Sequence, residues 1–154
     1  MQQRIRPFLW YDRDAEHAAE FYVSLFTSGK IHSVSVYNDH VADQMGLPHG
    51  TAMTVDFEIE GMQFTALNGG PMFKFNESVS FVINCADQAE IDRLWTALTA
   101  DGGEESMCGW LKDRFGLSWQ IVPENIGQLL STPAAMENLL QMRKIDIAAL
   151  ASAT

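Results

Sequence analysis

The chain has 154 residues, of which 47% are hydrophobic and 19% charged, a balance that suits one globular domain with a real core and excludes a disordered chain. Its formal net charge of -10 repels phosphate backbones and anionic lipid, so neither nucleic acid nor a membrane is an expected partner. No apolar run approaches the roughly 20 residues of a membrane helix, the first residues show no secretory pattern, and two cysteines without CxxC spacing fit a reducing compartment, so a cytoplasmic protein is expected.

Ile5 to Tyr11 reads as a short aromatic strand, and Asp14 is placed to cap the helix that follows. Ala15, Ala18, Ala19, Tyr22, Leu25 and Phe26 recur at helical spacing and predict one buried stripe, closed by Ser28-Gly29. Lys30 to Tyr37 alternates as a strand. Asn38 to Gly50 reads as a long polar loop, the kind that serves as a lid or binding loop. Thr51 to Ile59 and Met62 to Asn68 are strands joined by a tight Glu60-Gly61 turn. Asn68-Gly69-Gly70-Pro71 then breaks the chain, and an aromatic loop, Met72 to Asn76, follows.

The second half restates the first. Val79 to Cys85 is a strand with Phe81 and Ile83 on one face and Ser80 and Val82 on the other. Asp87 and Glu90 form a capping-box pattern, and Ile91, Leu94, Trp95 and Leu98 mark the helix up to Gly102-Gly103. Glu104 to Met107 is a short strand. Cys108 to Pro123, CGWLKDRFGLSWQIVP, supplies two antiparallel strands around the Lys112–Gly116 turn, where Gly116 is free to take positive φ. Leu117, Trp119 and Ile121 alternate with Ser118, Gln120 and Val122. Trp10, Trp95 and Trp119 are assigned to the sheet–helix core, and Lys112, Asp113 and Arg114 to turn and surface contacts, with a hold on an anionic ligand at the cup's mouth as the alternative for Lys112 and Arg114. Two further helices are predicted, one over Ile126 to Leu130 and one from Thr132-Pro133. Asp14 and Asp87 follow Pro7 and Ser80 at the same spacing, so the order strand, helix, three strands occurs twice. The prediction is an α+β single domain over 1–154. Two βαβββ modules, about 4–76 and 77–123, form a concave mixed-sheet cup with helices outside, and a helical extension covers about 124–154.

With FLWYD (Phe8–Asp12), AAEFYVSLF (Ala18–Phe26), FTALNGGP (Phe64–Pro71), CGWLKDRFGLSWQIVP and MRKIDIAAL (Met142–Leu150), the chain resembles the vicinal-oxygen-chelate superfamily of glyoxalases, bleomycin-resistance proteins and dioxygenases. Within it, the chain is most similar to the PhnB-like group that carries the name 3-demethylubiquinone-9 3-methyltransferase. The resemblance implies a cup that binds a small molecule, and a homodimer. The apolar C-terminal side chains Met136, Leu139, Leu140, Ile145 and Ile147 suit a neighbour independently. No glycine-rich loop of the nucleotide-binding type supports methyl transfer in the residues themselves.

Metal-using members of the superfamily place His or Glu at four cup positions. Here the resemblance puts Pro7, Ser80, Gln120 and a residue near Asn68 there, and Asn68 and Thr65 cannot share a face. Such a set suits no transition metal, and no cofactor is expected. Asp39, His40, Asp43 and His49 lack a ligand spacing and read as a solvated loop. Cys108 has no evident base and reads as a small buried hydrophobe in preference to a nucleophile. Tyr11 and Trp110 are candidate pocket aromatics, with core packing as the competing role. The expected ligand pocket is Tyr11, Asn68, Ser80, Cys108, Trp110 and Gln120. Gln120 is its polar floor, because a buried amide needs a partner in Ser80, water or ligand. Three functions stay open: a small-molecule-binding protein or metal-independent enzyme, the methyltransferase of the family name, and a non-catalytic sequestering or regulatory dimer.

Overall fold

The computed structural model describes residues 3–153 and divides into two compact units that meet at Lys74 and Phe75. The first unit runs β1 (Phe8–Tyr11), α1 (Ala15–Ser24), β2 (Lys30–Val36), α2 (Asp39–Met45), β3 (Ala52–Ile59) and β4 (Met62–Asn68). Its sheet has the order β1-β4-β3-β2, with β1 parallel to β4 and the other pairs antiparallel. The second unit runs β5 (Ser80–Cys85), α3 (Gln88–Thr99), β6 (Glu104–Glu105), β7 (Trp110–Lys112) and β8 (Ser118–Pro123), with sheet order β5-β8-β7-β6 and β5 parallel to β8. Both units are therefore βαβββ, the first with α2 inserted between β2 and β3, and each closes by a parallel pairing of its first and last strands. Helices α4 (Ile126–Leu129), α5 (Pro133–Gln141) and α6 (Ile147–Ala151) complete the second unit.

Alternation sorts the side chains. In the first unit Leu9, Tyr11, Val55, Phe57, Ile59, Phe64 and Ala66 are buried on the side where α1 packs. Phe57 stacks on Phe64 with centroids 5.1 Å apart, and Tyr22 of α1 leans on Phe57. In the second unit Cys85, Leu111, Trp119 and Ile121 are buried on the side of α3, which presents Ile91, Leu94, Trp95 and Leu98 as its spacing predicts. The capping box at Asp87 and Glu90 is present: Asp87 accepts from the Glu90 amide, and the Glu90 carboxylate reaches back to the Ala86 amide. The Thr132 cap is present too, its hydroxyl accepting from the Ala135 amide.

Several expectations need correction. The stretch from Asn38 to Gly50 is not all loop: Asn38 accepts from the Val41 amide, Gly46 turns the chain at φ 69, and α2 lies between. Helix α1 ends at Ser24, ahead of Ser28-Gly29. Asp14 occupies the N-cap of α1 but makes no side-chain cap bond; the Ala15 amide donates instead to Asn68 of β4, at 2.9 Å. Trp10 leaves the sheet–helix core for the other face, where its indole donates to the Gly70 carbonyl and meets Phe73 edge-on. A Cβ at Gly69 would fall 2.5 Å from that indole, so this turn requires glycine.

The turn after β7 differs most from expectation. Asp113 is 2% exposed, not a surface group. Its carboxylate accepts from the amides of Phe115 and Leu117 and from the indole of Trp119, at 2.8, 3.1 and 2.9 Å. Gly116, at φ 88, lets the chain double back to make these bonds. One carboxylate therefore fixes both the hairpin and the largest core side chain of β8.

Candidate functional site

Each unit leaves one sheet face uncovered by its own helices. In the second unit that face carries Ser80 and Val82 of β5, Ser118 and Gln120 of β8, and Trp110 and Lys112 of β7, set by the pairs Ser80↔Ser118, Val82↔Gln120 and Trp110↔Gln120. Gln120 donates to the Ser80 hydroxyl at 2.9 Å. Of the three partners open to this amide, a neighbouring side chain is the one present.

The predicted pocket residues separate into three groups. Ser80, Trp110 and Gln120 share the open face just described. Tyr11 and Asn68 lie on the opposite, helix-facing side of the first sheet: Tyr11 is 4% exposed and bonds the Tyr22 hydroxyl, and Asn68 is held by the Ala15 amide and the Ala52 carbonyl. Alternation along β4 explains this, since Asn68 follows Ala66 and Phe64 inward and leaves Thr65 outward. Cys108, at φ 59, sits off the strands beside the C-terminal segment, with its amide donating to the Met142 carbonyl and its thiol 3.5 Å from the Leu139 carbonyl.

The internal repeat is real but its register is offset by one residue. The Gly69 amide donates to Tyr11, and the Glu124 amide donates to Cys85, each just past the last strand pair. Tyr11 thus corresponds to Cys85 and Asn68 to Pro123, and the counterpart of Ser80 is Arg6, not Pro7. The chemistry follows this alignment. Arg6 donates to the Thr65 hydroxyl at 2.8 Å in the first unit, where Gln120 donates to Ser80 in the second. Thr65 donates onward to Asp56 at 2.6 Å, and Ser33 holds the other Asp56 oxygen. Sequence spacing missed Arg6 because the link between β1 and α1 is one residue longer than that between β5 and α3; it left Thr65 against Asn68 undecided and passed over Asp56 because no spacing to a cap fixes the register of β3 and β4.

The four strand positions therefore hold Arg6, Thr65, Ser80 and Gln120. A guanidinium cannot ligate, and neutral hydroxyl and amide oxygens are poor donors for zinc or nickel. Neither pair, Arg6 with Thr65 in the first unit or Ser80 with Gln120 in the second, suits such a metal. Among the described residues no group of three or more His, Cys, Asp or Glu side chains is arranged to hold one. In the segment after α2 the His49 ring lies 2.8 Å from an Asp43 carboxylate oxygen and 3.6 Å from one of Asp39, on the surface.

Electrostatics on the second open face centre on Lys112. Its ammonium pairs with Glu77, which raises the lysine pKa and lowers that of the glutamate. In the first unit His32 sits 2.9 Å from Glu58 and holds that carboxyl below its usual range. The Cys85 thiol, wholly inside, is pushed up to about 12 by burial and then by the nearby Glu90 charge.

Two βαβββ units of this topology define an α+β protein of the glyoxalase fold, within the vicinal-oxygen-chelate superfamily. The chain belongs to the family described as 3-demethylubiquinone-9 3-methyltransferase, whose profile matches residues 3–122. It is similar to the PhnB protein of Bacillus cereus, which carries the same methyltransferase name: 29% identity, 79% of this chain and 99% of that one, TM-score 0.70. A Pseudomonas aeruginosa protein is 21% identical over 80% of this chain and 98% of its own, with a TM-score of 0.61. The fosfomycin resistance protein FosX of Listeria monocytogenes shares the fold at 12% identity, 86% and 99% coverage and a TM-score of 0.52. Among proteins of curated function none matches significantly. Among the described residues no helix is long and apolar enough to cross a membrane.

Proposed function

We propose that the chain is a small-molecule-binding protein or metal-independent enzyme of the glyoxalase/bleomycin-resistance superfamily, and that the open face of its second unit meets the ligand. The observation that carries this reading is the Gln120–Ser80 pair, two neutral polar groups beside Trp110 and the 49% exposed Val82. A few neutral hydrogen-bonding groups in apolar surroundings are the usual makeup of a small-molecule site. Neither group titrates near neutral pH, so they suit orientation of a ligand better than proton abstraction. The methyltransferase name enters with the family; no glycine-rich strand-to-helix loop in this chain supports it.

Gln120→Leu tests the reading. Ser80 is only half-buried and can turn to water, so the variant should change stability by under about 1.5 kcal/mol. Thermal-shift responses to a small-molecule library should identify ligands of the native chain, and those responses should vanish in the variant. Ligand affinity that survives in a folded Gln120→Leu protein would overturn the assignment.

A second reading, a homodimer, rests on the apolar side chains the first unit leaves in water. Phe8 is 57% exposed, Val34 49% and Val36 55%. A stable pair should bury more than roughly 1,000 Å². Light scattering should return about twice the chain mass of 17.2 kDa; a monomer at micromolar concentration would remove this reading.

A further inference from the structure

Beside the Gln120–Ser80 pair the second unit holds a cavity of about 120 Å³, and its chemistry specifies a charge. Three carboxylates line it, those of Glu77, Glu104 and Glu105, together with Ser118, Trp110 and Lys112. Lys112 is the only cation in the lining and is already paired with Glu77. Glu105 accepts the Trp95 indole at 2.7 Å and faces Arg143 at 3.7 Å. Two groups remain. Glu104 forms no ion pair among the described residues. Ser118 is 0% exposed, and its hydroxyl has no hydrogen-bond partner among them. A buried hydroxyl without a partner carries an unrecovered desolvation cost, which a bound donor removes.

We infer that this cavity is a subsite for the cationic end of the ligand, an alkylammonium or guanidinium group held between the Glu104 carboxylate and the Ser118 hydroxyl. The inference rests on the reading of the open face as ligand-binding and adds the ligand's charge to it. A cation donates to both groups at once, Glu104 feeling so far only the charge of its cross-strand neighbour Lys112, whereas an anion would meet three carboxylates and an ammonium already paired with Glu77. The net charge of -10 raises the local concentration of cations in the same sense. No three carboxylates among the described residues converge on a metal geometry, so an organic cation is the better fit. The space accommodates a fragment of a few heavy atoms, on the scale of cavities of roughly 150 Å³ that take benzene.

The probes are n-propylammonium, n-propanol and propionate, which share a chain and differ in charge. In amide and indole NMR spectra of the full chain, propylammonium should shift Ser106, Trp110 and Ser118 saturably, and the other two should not. Glu104→Gln, a surface change, should weaken that binding about five-fold. Ser118→Ala, which removes a hydroxyl without a partner, should weaken it about ten-fold with the fold intact. No saturable shift with propylammonium, equal or stronger binding of propionate, or binding indifferent to both substitutions would overturn the subsite. Library ligands that lose affinity in Gln120→Leu while propylammonium fails to bind would sink this inference and leave the open-face reading standing. The converse pattern would sink the latter alone.

Discussion

The two units share a topology and solve the same local problem with different atoms. Where the first turn of a helix meets the last strand of its sheet, the second unit uses Asp87 and Glu90 beside the helix itself, and Pro123 closes β8. The first unit lacks that box. Its cap comes from across the sheet, from Asn68, which occupies the place of Pro123. The open faces differ likewise. Arg6, Thr65, Asp56 and Ser33 form a chain of hydrogen bonds in the first unit, of which Arg6 and Asp56 line a cavity of about 110 Å³. The matching positions of the second unit are Ser80, Gln120 and Trp110, and Ser118, the neighbouring same-face position of β8, has no partner among the described residues beside a cavity of about 120 Å³. Duplicated folds tolerate such divergence where only the backbone bonds are fixed, and here two cavities of similar size differ in whether the polar groups beside them are satisfied.

The sharpest contrast lies in the two hairpins. Asp113→Ala should cost about 3–5 kcal/mol in urea unfolding, because two amides and the Trp119 indole lose their acceptor inside the core. Glu60→Ala in the opposite hairpin, whose carboxylate meets only the Ser28 hydroxyl at the surface, should cost under about 1 kcal/mol. Equal losses would mean that Asp113 is hydrated in solution. The caps come next. Asn68→Ala should cost about 2–3 kcal/mol, since it orphans the Ala15 amide and the Ala52 carbonyl, against about 1 kcal/mol for Asp87→Ala.

A smaller effect separates Cys85 from its counterpart Tyr11. With the native thiol raised to about 12, the unfolded chain ionises first as pH climbs past its ordinary value of roughly 8.5. Stability is full below that pH and declines toward 12, by about 1 kcal/mol at pH 10. Cys85→Ala should show a shallower decline across the same window. The smallest effect has the opposite sign: Ser118→Ala should raise stability by up to about 1 kcal/mol, as expected for deleting a buried hydroxyl without a partner. A loss there would reveal a partner in solution.

Much of this was legible in the sequence, and the failures have physical causes. Period-2 alternation placed Ser80, Ser118 and Gln120 on one face, and helical spacing placed Ile91, Leu94, Trp95 and Leu98 on another, because both periods are fixed by backbone geometry. Tyr11 and Asn68 were assigned to a pocket for want of a strand register. One extra residue before Asp14 turns a strand over, and spacing to a cap cannot show it. Asp113 read as a surface charge because turn residues usually are; its burial depends on an indole six positions later. Helix α2 was hidden by polar residues that form a helix only when capped at both ends.

The parallel closure of each unit also sets a schedule on the ribosome. Phe8 cannot pair until Thr65 exists, and Ser80 waits for Ser118. The first sheet is complete once Asn68 has emerged, the second only with Pro123. At about 5–20 residues per second that interval is several seconds, far longer than local helix or hairpin formation. Throughout it the finished first sheet presents Phe8, Val34 and Val36 to solvent, as it still does in the whole chain. A nascent chain halted only after position 76 has left the ribosome should therefore carry a folded, protease-resistant first unit.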